Sequence, residues 1–347
     1  MSNTIKKDTV SFGKSRQPKL IFALLAGAAA SMTAVNICSG SIPLSLPEVW
    51  SILTSPNDTT ESIIVWKIRL PRALAGVLCG GLLAVSGLLL QVYFRNPVVG
   101  PFILGISSGA SLMVSLVMLT SLTMQLSIMS PFVTTLAAII GAYSVMAIVV
   151  AIASKVKSGV TLLIVGLMMG YLCHAATSVL IALAEKEQVK GFVLWQLGSF
   201  SGFKWNEIYL LIGVGGLLMV AVFLLAKPLN AILLGEEYAL SMGINIRLLR
   251  MLILFCACAM AGMITAMAGP VAFIGLAVPH MARMIFSTSD NRILIPGTLL
   301  MGALVASGCD FIARSLLSPV ELPLSAITAF FGAPIVISLL MKKKVQL

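Results

Sequence analysis

Long apolar runs alternate with short polar stretches along the whole chain. The runs cover 20–36, 69–92, 102–122, 131–153, 160–184, 208–226, 247–268, 270–286, 293–317 and 322–341. Each approaches the ~20 residues that a helix needs to cross the hydrocarbon layer. Read as spans, they make ten transmembrane helices and put both termini on one side. Residues 41–68 are mixed and polar, with Pro43, Pro47 and Pro56, and leave room for a short helix from Leu46 to Thr54. The run at 20–36 lacks a small-x-small cleavage site, and Val35-Asn36-Ile37 before Cys38 makes a poor lipoprotein site, so it reads as a retained helix. A β-barrel would show short alternating segments instead.

The pattern breaks most sharply at Lys227–Arg250, which reads KPLNAILLGEEYALSMGINIRLLR. Glu236 and Glu237 at one end and Gly243 at the other predict a short helix, with carboxylates at the positive end of the dipole and glycine at the left-handed cap. Asn230 is placed to cap an earlier turn, Ala231–Leu234. The stretch reads either as a handle for a soluble partner or as an amphipathic loop on the lipid surface. Two tight joins, Asn96-Pro97-Val98-Val99-Gly100-Pro101 and Gly269-Pro270, predict broken helices at membrane depth, where neighbours or a cavity must satisfy the backbone.

Composition agrees with a polytopic membrane protein. The 347 residues are 59% hydrophobic and only 10% charged, with mean hydropathy +1.05; a soluble domain carries about 25% charged residues. The net charge of +11 reports orientation rather than nucleic acid. With both termini cytoplasmic, most of the 23 Lys and Arg fall on the inner side, including the tail 1–19 and the 227–250 loop. Lys67, Arg69, Arg72, Lys186, Lys190, Lys204 and Arg314 are left outside.

Little in the sequence can carry covalent chemistry. The six cysteines lie in apolar runs and read as small core hydrophobes, not as disulfides or metal ligands. No GxxxxGK[ST] loop occurs, so no ATP site of that kind is expected. Asp310 lies four residues before Arg314, and the two are expected to neutralise each other on one helix face. A gradient-driven carrier usually needs buried carboxylates or histidines along its path, and these are scarce. His174 reads as a packed or locally hydrogen-bonded residue rather than a ligand.

Several strings, in order, resemble one family. They are Arg69-Leu70-Pro71-Arg72, Gly80–Gly87 with Gln91, Arg95-Asn96-Pro97, Leu104–Ala110, Trp195–Ser199, Leu234-Gly235-Glu236-Glu237, Phe273–Arg283, and Glu321-Leu322-Pro323 near Gly332-Ala333-Pro334. Their order and spacing are similar to the permease subunits of ATP-binding-cassette importers for iron chelates, haem and vitamin B12. The resemblance runs from about residue 20 to residue 341. It implies an all-α, ten-helix single permease domain in a prokaryotic inner membrane, working as a homodimer or close heterodimer with the path at the dimer axis. Two cytoplasmic ATPase subunits and an extracytoplasmic binding protein are the implied partners, with no cofactor or metal of its own. The segment 229–243 matches the coupling helices, which puts Leu234, Gly235, Glu236, Glu237, Ala239 and Gly243 at the ATPase contact. Arg69, Arg72 and Arg314 match the basic positions that meet acids on the binding protein; anchoring helix ends at headgroups is the plainer alternative. Asn96, Pro97 and Val98, with Gly159 and Val160 at the turn before the fifth span, match the inner gate. Val98-Val99-Gly100 departs from the family's commoner wording. An ion-gradient secondary transporter is the alternative function.

Overall fold

The computed structural model describes residues 18–40, 42–55, 57, 59–120, 131–153 and 159–341. The elements are α1 (Pro18–Cys38), α2 (Leu46–Thr54), α3 (Thr60–Tyr93), α4 (Ile106–Leu119), α5 (Pro131–Ala153), α6 (Gly159–Leu183), α7 (Lys186–Gln196), α8 (Trp205–Leu224), α9 (Ala226–Leu234), α10 (Glu236–Ser241), α11 (Ile246–Ala268), α12 (Ile274–Phe286), α13 (Asn291–Ser315) and α14 (Leu324–Met341). No strand occurs among the described residues. Seven of these helices are long and apolar enough to cross a membrane, and α4, α12 and α14 contain shorter apolar stretches.

The middle of the bundle is α3, which packs against α13, α11 and α12. Its apolar window is 83% buried, against 17% for α6. So α3 is surrounded by protein, and α6 turns most of its surface outward. The small residues of 79–87 allow this packing. Between helices in lipid, close van der Waals approach replaces the hydrophobic drive, so small side chains collect at contacts. Gly87 is the extreme case: a Cβ there would lie 1.6 Å from the carbonyl oxygen of Gly275 on α12.

The span expected at 69–92 begins earlier. Helix α3 starts at Thr60, capped by the Thr59 hydroxyl accepting from Ser62 N, and passes through a π turn at Val65–Arg69. At 1.5 Å per residue it is about 50 Å long, well beyond the hydrocarbon thickness. The span expected at 102–122 is shorter: Gly105 takes φ +75° and α4 starts only at Ile106.

The two broken joins meet in space. Gly100 abuts Leu276, and Gly275 abuts Pro101, so the irregular stretches before α4 and α12 lie side by side. The short helix expected at Leu46–Thr54 is present, capped by Ser45 with Glu48 reaching back to Ser45 N at 2.7 Å. That bond holds the exposed Glu48 carboxyl below the usual carboxylate range.

Candidate functional site: a pair of short helices, an arginine group and a cavity between broken helices

One end of the bundle carries the 227–250 stretch, the handle expected from the sequence and called the lever below. The sequence expectation of a cap at Asn230 is corrected, because α9 starts at Ala226 and Asn230 lies inside it. Pro228 falls in the first turn, where its missing N–H costs little. The Asn230 amide donates to Asp290 Oδ1 at 2.5 Å and accepts from Asn291 N at 2.8 Å, which ties α9 to the start of α13. The next helix is as expected: α10 has Glu236 and Glu237 in its first turn. It closes on Gly243 at φ +78°. Ile244 N donates to Ala239 O and Gly243 N to Leu240 O, the bond pair of a Schellman cap.

The residues predicted at the contact divide into two kinds. Ala239 is fully buried, and Glu236 is held by Arg250 at 2.7 Å and Arg95 at 3.4 Å. These two face the body and fix the lever. Glu237 is exposed, as are Leu234 (68%), Tyr238 (50%), Leu240 (59%) and Met242 (59%).

The predicted gate lies directly behind the lever. Arg95, at φ +47°, also donates to Ile232 O on α9. Asn96 Oδ1 accepts from Val98 N at 3.0 Å, an Asx turn. The Pro97 carbonyl bonds His280 Nε2 at 2.8 Å on α12. Gln91 donates to Leu276 O and accepts from Arg283 at 2.6 Å. So Arg95 and Pro97, on either side of the Asn96–Val98 turn, link the lever to α12, and this stretch enters the cavity wall at Gly100. Gly159 opens α6 and Val160 follows in its first turn.

The opposite end carries the arginines. Arg69 is 6% exposed and donates to Ile37 O at 2.9 Å, Cys38 O at 3.0 Å and Ile42 O. Arg314 donates to Asn36 O and Oδ1 at 2.7 Å and to Ser39 O at 2.8 Å. Both guanidiniums therefore satisfy carbonyls at the C-terminal end of α1, where cations are favoured. The expected Asp310–Arg314 pair is corrected: Asp310 is taken by Arg72, which reaches it through Nε at 3.1 Å and Nη2 at 3.0 Å. A fork from the neighbouring helix gives a bidentate bond. Arg72 also holds Glu321 at 2.6 Å. The Asp310 side chain is 4% exposed, Arg72 11% and Glu321 43%. A cavity of about 540 Å³ opens between these groups.

Between the ends lie two adjoining cavities of about 410 and 560 Å³, sharing Phe102, Ser108, His174 and Phe273. The broken joins supply one wall and α6 another. Gln196 and Leu197 reach the second cavity from the end of α7, a helix the apolar pattern does not reveal. A capping box could have found it: Glu185 N donates to Gln188 Oε1 at 3.3 Å. The six cysteines are free and no group of three metal-ligating side chains occurs among the described residues.

Comparison with known proteins follows the same path. The FecCD transport family model matches residues 28–342. The hemin transport system permease protein HmuU of Yersinia pestis is 34% identical over 335 residues, 95% of this chain and 98% of that one. The vitamin B12 import system permease protein BtuC of Klebsiella pneumoniae is 35% identical over 310 residues, 89% and 90% of the two chains. Among solved structures, a metal-chelate type ABC transporter in an inward-facing conformation aligns with TM-score 0.78 at 28% identity, covering 94% of this chain and 99% of that one. PsaBC from Streptococcus pneumoniae shares the fold at TM-score 0.56 and 15% identity, over 85% and 95%. With near-complete coverage by the family model and by these relatives, the chain belongs to the FecCD transport family, the permease subunits of ATP-binding-cassette importers.

Proposed function

We propose that this chain forms the membrane path of an ATP-driven importer for haem, a corrinoid or an iron–siderophore complex, in a prokaryotic inner membrane with both termini cytoplasmic. Two copies, or two close relatives, enclose the path at their axis. ATPase subunits grip α9–α10 from the cytoplasm, and a binding protein delivers the ligand from outside. The observation that carries this reading is the lever: a short helix fixed from behind by Glu236 and Ala239, with Glu237, Tyr238, Leu240 and Met242 bare on its front. Exposed apolar groups clustered on a polar segment mark a contact surface. A displacement of α10 passes through Arg95 to the 95–101 turn, and through Pro97 to His280 on α12. ATP binding then shifts the balance between outward and inward access through the partners' differential affinity for the two states.

Glu237→Lys tests the lever with little structural cost, because the side chain is exposed. The variant is expected to lose co-purification with the ATPase while keeping the parent's melting temperature. Glu236→Lys is the less clean variant, since it also sets a cation beside Arg95 and Arg250. Normal recovery of the ATPase with Glu237→Lys would remove the lever from the contact.

On the outer face, docking of an acidic partner falls to Arg72 and its rim. Arg69→Glu is a poor probe, because it would bury an acid against α1 carbonyls. Glu321 already occupies the outward N–H groups of Arg72, so an incoming carboxylate must displace it. Glu321→Gln should therefore raise the association rate of the binding protein at low salt, and Arg72→Gln should lower it. Identical rates for both variants and the parent would leave these groups a purely structural role.

A further inference from the structure

His174 is the group at membrane depth that the rest of the fold does not use. Its sequence pattern suggests a packed or hydrogen-bonded residue, and the structure gives the reverse. The residue is exposed. No hydrogen bond to its ring occurs among the described residues; its carbonyl alone is engaged, by Ser178. The residue lines both cavities. The chain's other imidazole, His280, is buried and committed to Pro97. An ionisable side chain facing a cavity inside a span marks a functional site.

The surroundings narrow what that site takes. Phe102 and Phe273 share the wall with His174, and aromatic faces favour a flat π system. Phe273 is held there under backbone strain, at φ +64°; a Cβ on the facing Gly332 would come within 2.3 Å of its Cβ. Strain of this kind, of about 1–3 kcal/mol, persists where the surroundings enforce it, often at ligand clamps. Hydrogen bonding needs no histidine here, because Ser107, Ser108, Ser111 and Thr177 already line the second cavity. What the imidazole adds is a nitrogen lone pair able to enter the coordination sphere of iron or a similar metal. The two volumes lie within the roughly 300–1,000 Å³ usual for small-molecule sites.

We propose that His174 is a transient axial ligand for the metal of a flat macrocyclic chelate, the ferric porphyrin class, as it crosses this path. The proposal rests on the importer reading and narrows its substrate. A ring nitrogen donates its lone pair to the iron and a weakly held axial water leaves; the iron stays ferric and no electron moves. A hexadentate siderophore offers its iron no vacant position, so His174 has nothing to bind there. One imidazole against an otherwise weak wall lets the ligand both enter and leave.

The test uses the full chain with its ATPase subunits in lipid nanodiscs, titrated with hemin and followed by the Soret band. The parent is expected to shift the band to that of a histidine-ligated ferric haem. His174→Ala should lose the shift, and His174→Met should give a different, thioether-type spectrum. Iron-free protoporphyrin should associate equally with parent and His174→Ala. An unchanged Soret shift in His174→Ala, or no shift in the parent, overturns the proposal. ATP-dependent uptake of a hexadentate ferric siderophore, insensitive to His174→Ala and without a hemin shift, would overturn the macrocycle assignment while leaving the importer reading intact. Absence of ATP-driven uptake for every chelate would strike that reading itself.

Discussion

Gly87→Ala is expected to be among the most destabilising single substitutions in this chain. The added Cβ would lie 1.6 Å from the Gly275 oxygen, 2.4 Å from its carbonyl carbon and 2.7 Å from its Cα. All three are backbone atoms, so no rotamer change relieves the clash. Retreat is blocked as well, because Gly275 already lies against Leu83 O and Pro101. Overpacking typically costs about 1–3 kcal/mol, and a backbone-to-backbone clash belongs at the upper end. The damage should also reach the lever end, since α3 and α12 carry Gln91, Arg283 and His280. Gly27→Ala is the control: nothing lies within 4 Å of that position, and Ala in a helix gains about 0.5–1 kcal/mol over Gly. The check is the melting temperature of both variants in detergent. A Gly87→Ala midpoint equal to the parent's would show that α3 and α12 are not in the contact described.

Asp310→Ala is expected to have a comparable effect from the opposite end of the bundle. It leaves Arg72, 11% exposed, with Glu321 alone. Removing one partner of a buried pair costs about 3–5 kcal/mol, mostly from the stranded charge. The remaining bond to Glu321 and the adjoining cavity should hold the loss near the lower figure. The double variant Asp310→Leu with Arg72→Met should recover much of the stability, because apolar pairs of similar volume often replace buried ion pairs without loss. A double-mutant cycle measures the coupling. Coupling below about 0.5 kcal/mol, the size of ordinary additivity error, would show that Arg72 and Asp310 act independently.

The features legible in the sequence were local ones. Runs such as 131–153 and 160–184 give α5 and α6 almost residue for residue, because a hydrocarbon slab imposes length and apolarity directly. The glycine at the end of α10 was readable because only the left-handed cap needs it there. Gly100-Pro101 and Gly269-Pro270 announced breaks but not that the breaks touch. Other features needed tertiary information. Arg69 and Arg314 flank spans, and a flanking arginine suits a headgroup, a docking partner or a neighbour's carbonyls equally well; their bonds to the end of α1 appear only in the fold. Asp310 had a local partner four residues on, but a fork from α3 made the better bond. His174 sits in an apolar run that gives no sign of facing a cavity rather than a core. Helix α7 stayed hidden because it is too short for a span and Lys186, Glu187 and Lys190 break up its apolar positions, leaving its start marked only by the Glu185–Gln188 box.

The proposed drive is force entering through α9–α10 from a nucleotide-driven partner. Its most direct test is hemin accumulation in proteoliposomes holding the chain with its ATPase subunits, with binding protein on the receiving side and ionophores collapsing proton and sodium gradients. Accumulation should follow ATP, persist without any gradient and vanish in Glu237→Lys. Uptake that stops when the gradients collapse despite ATP, or that is untouched by Glu237→Lys, would contradict the account.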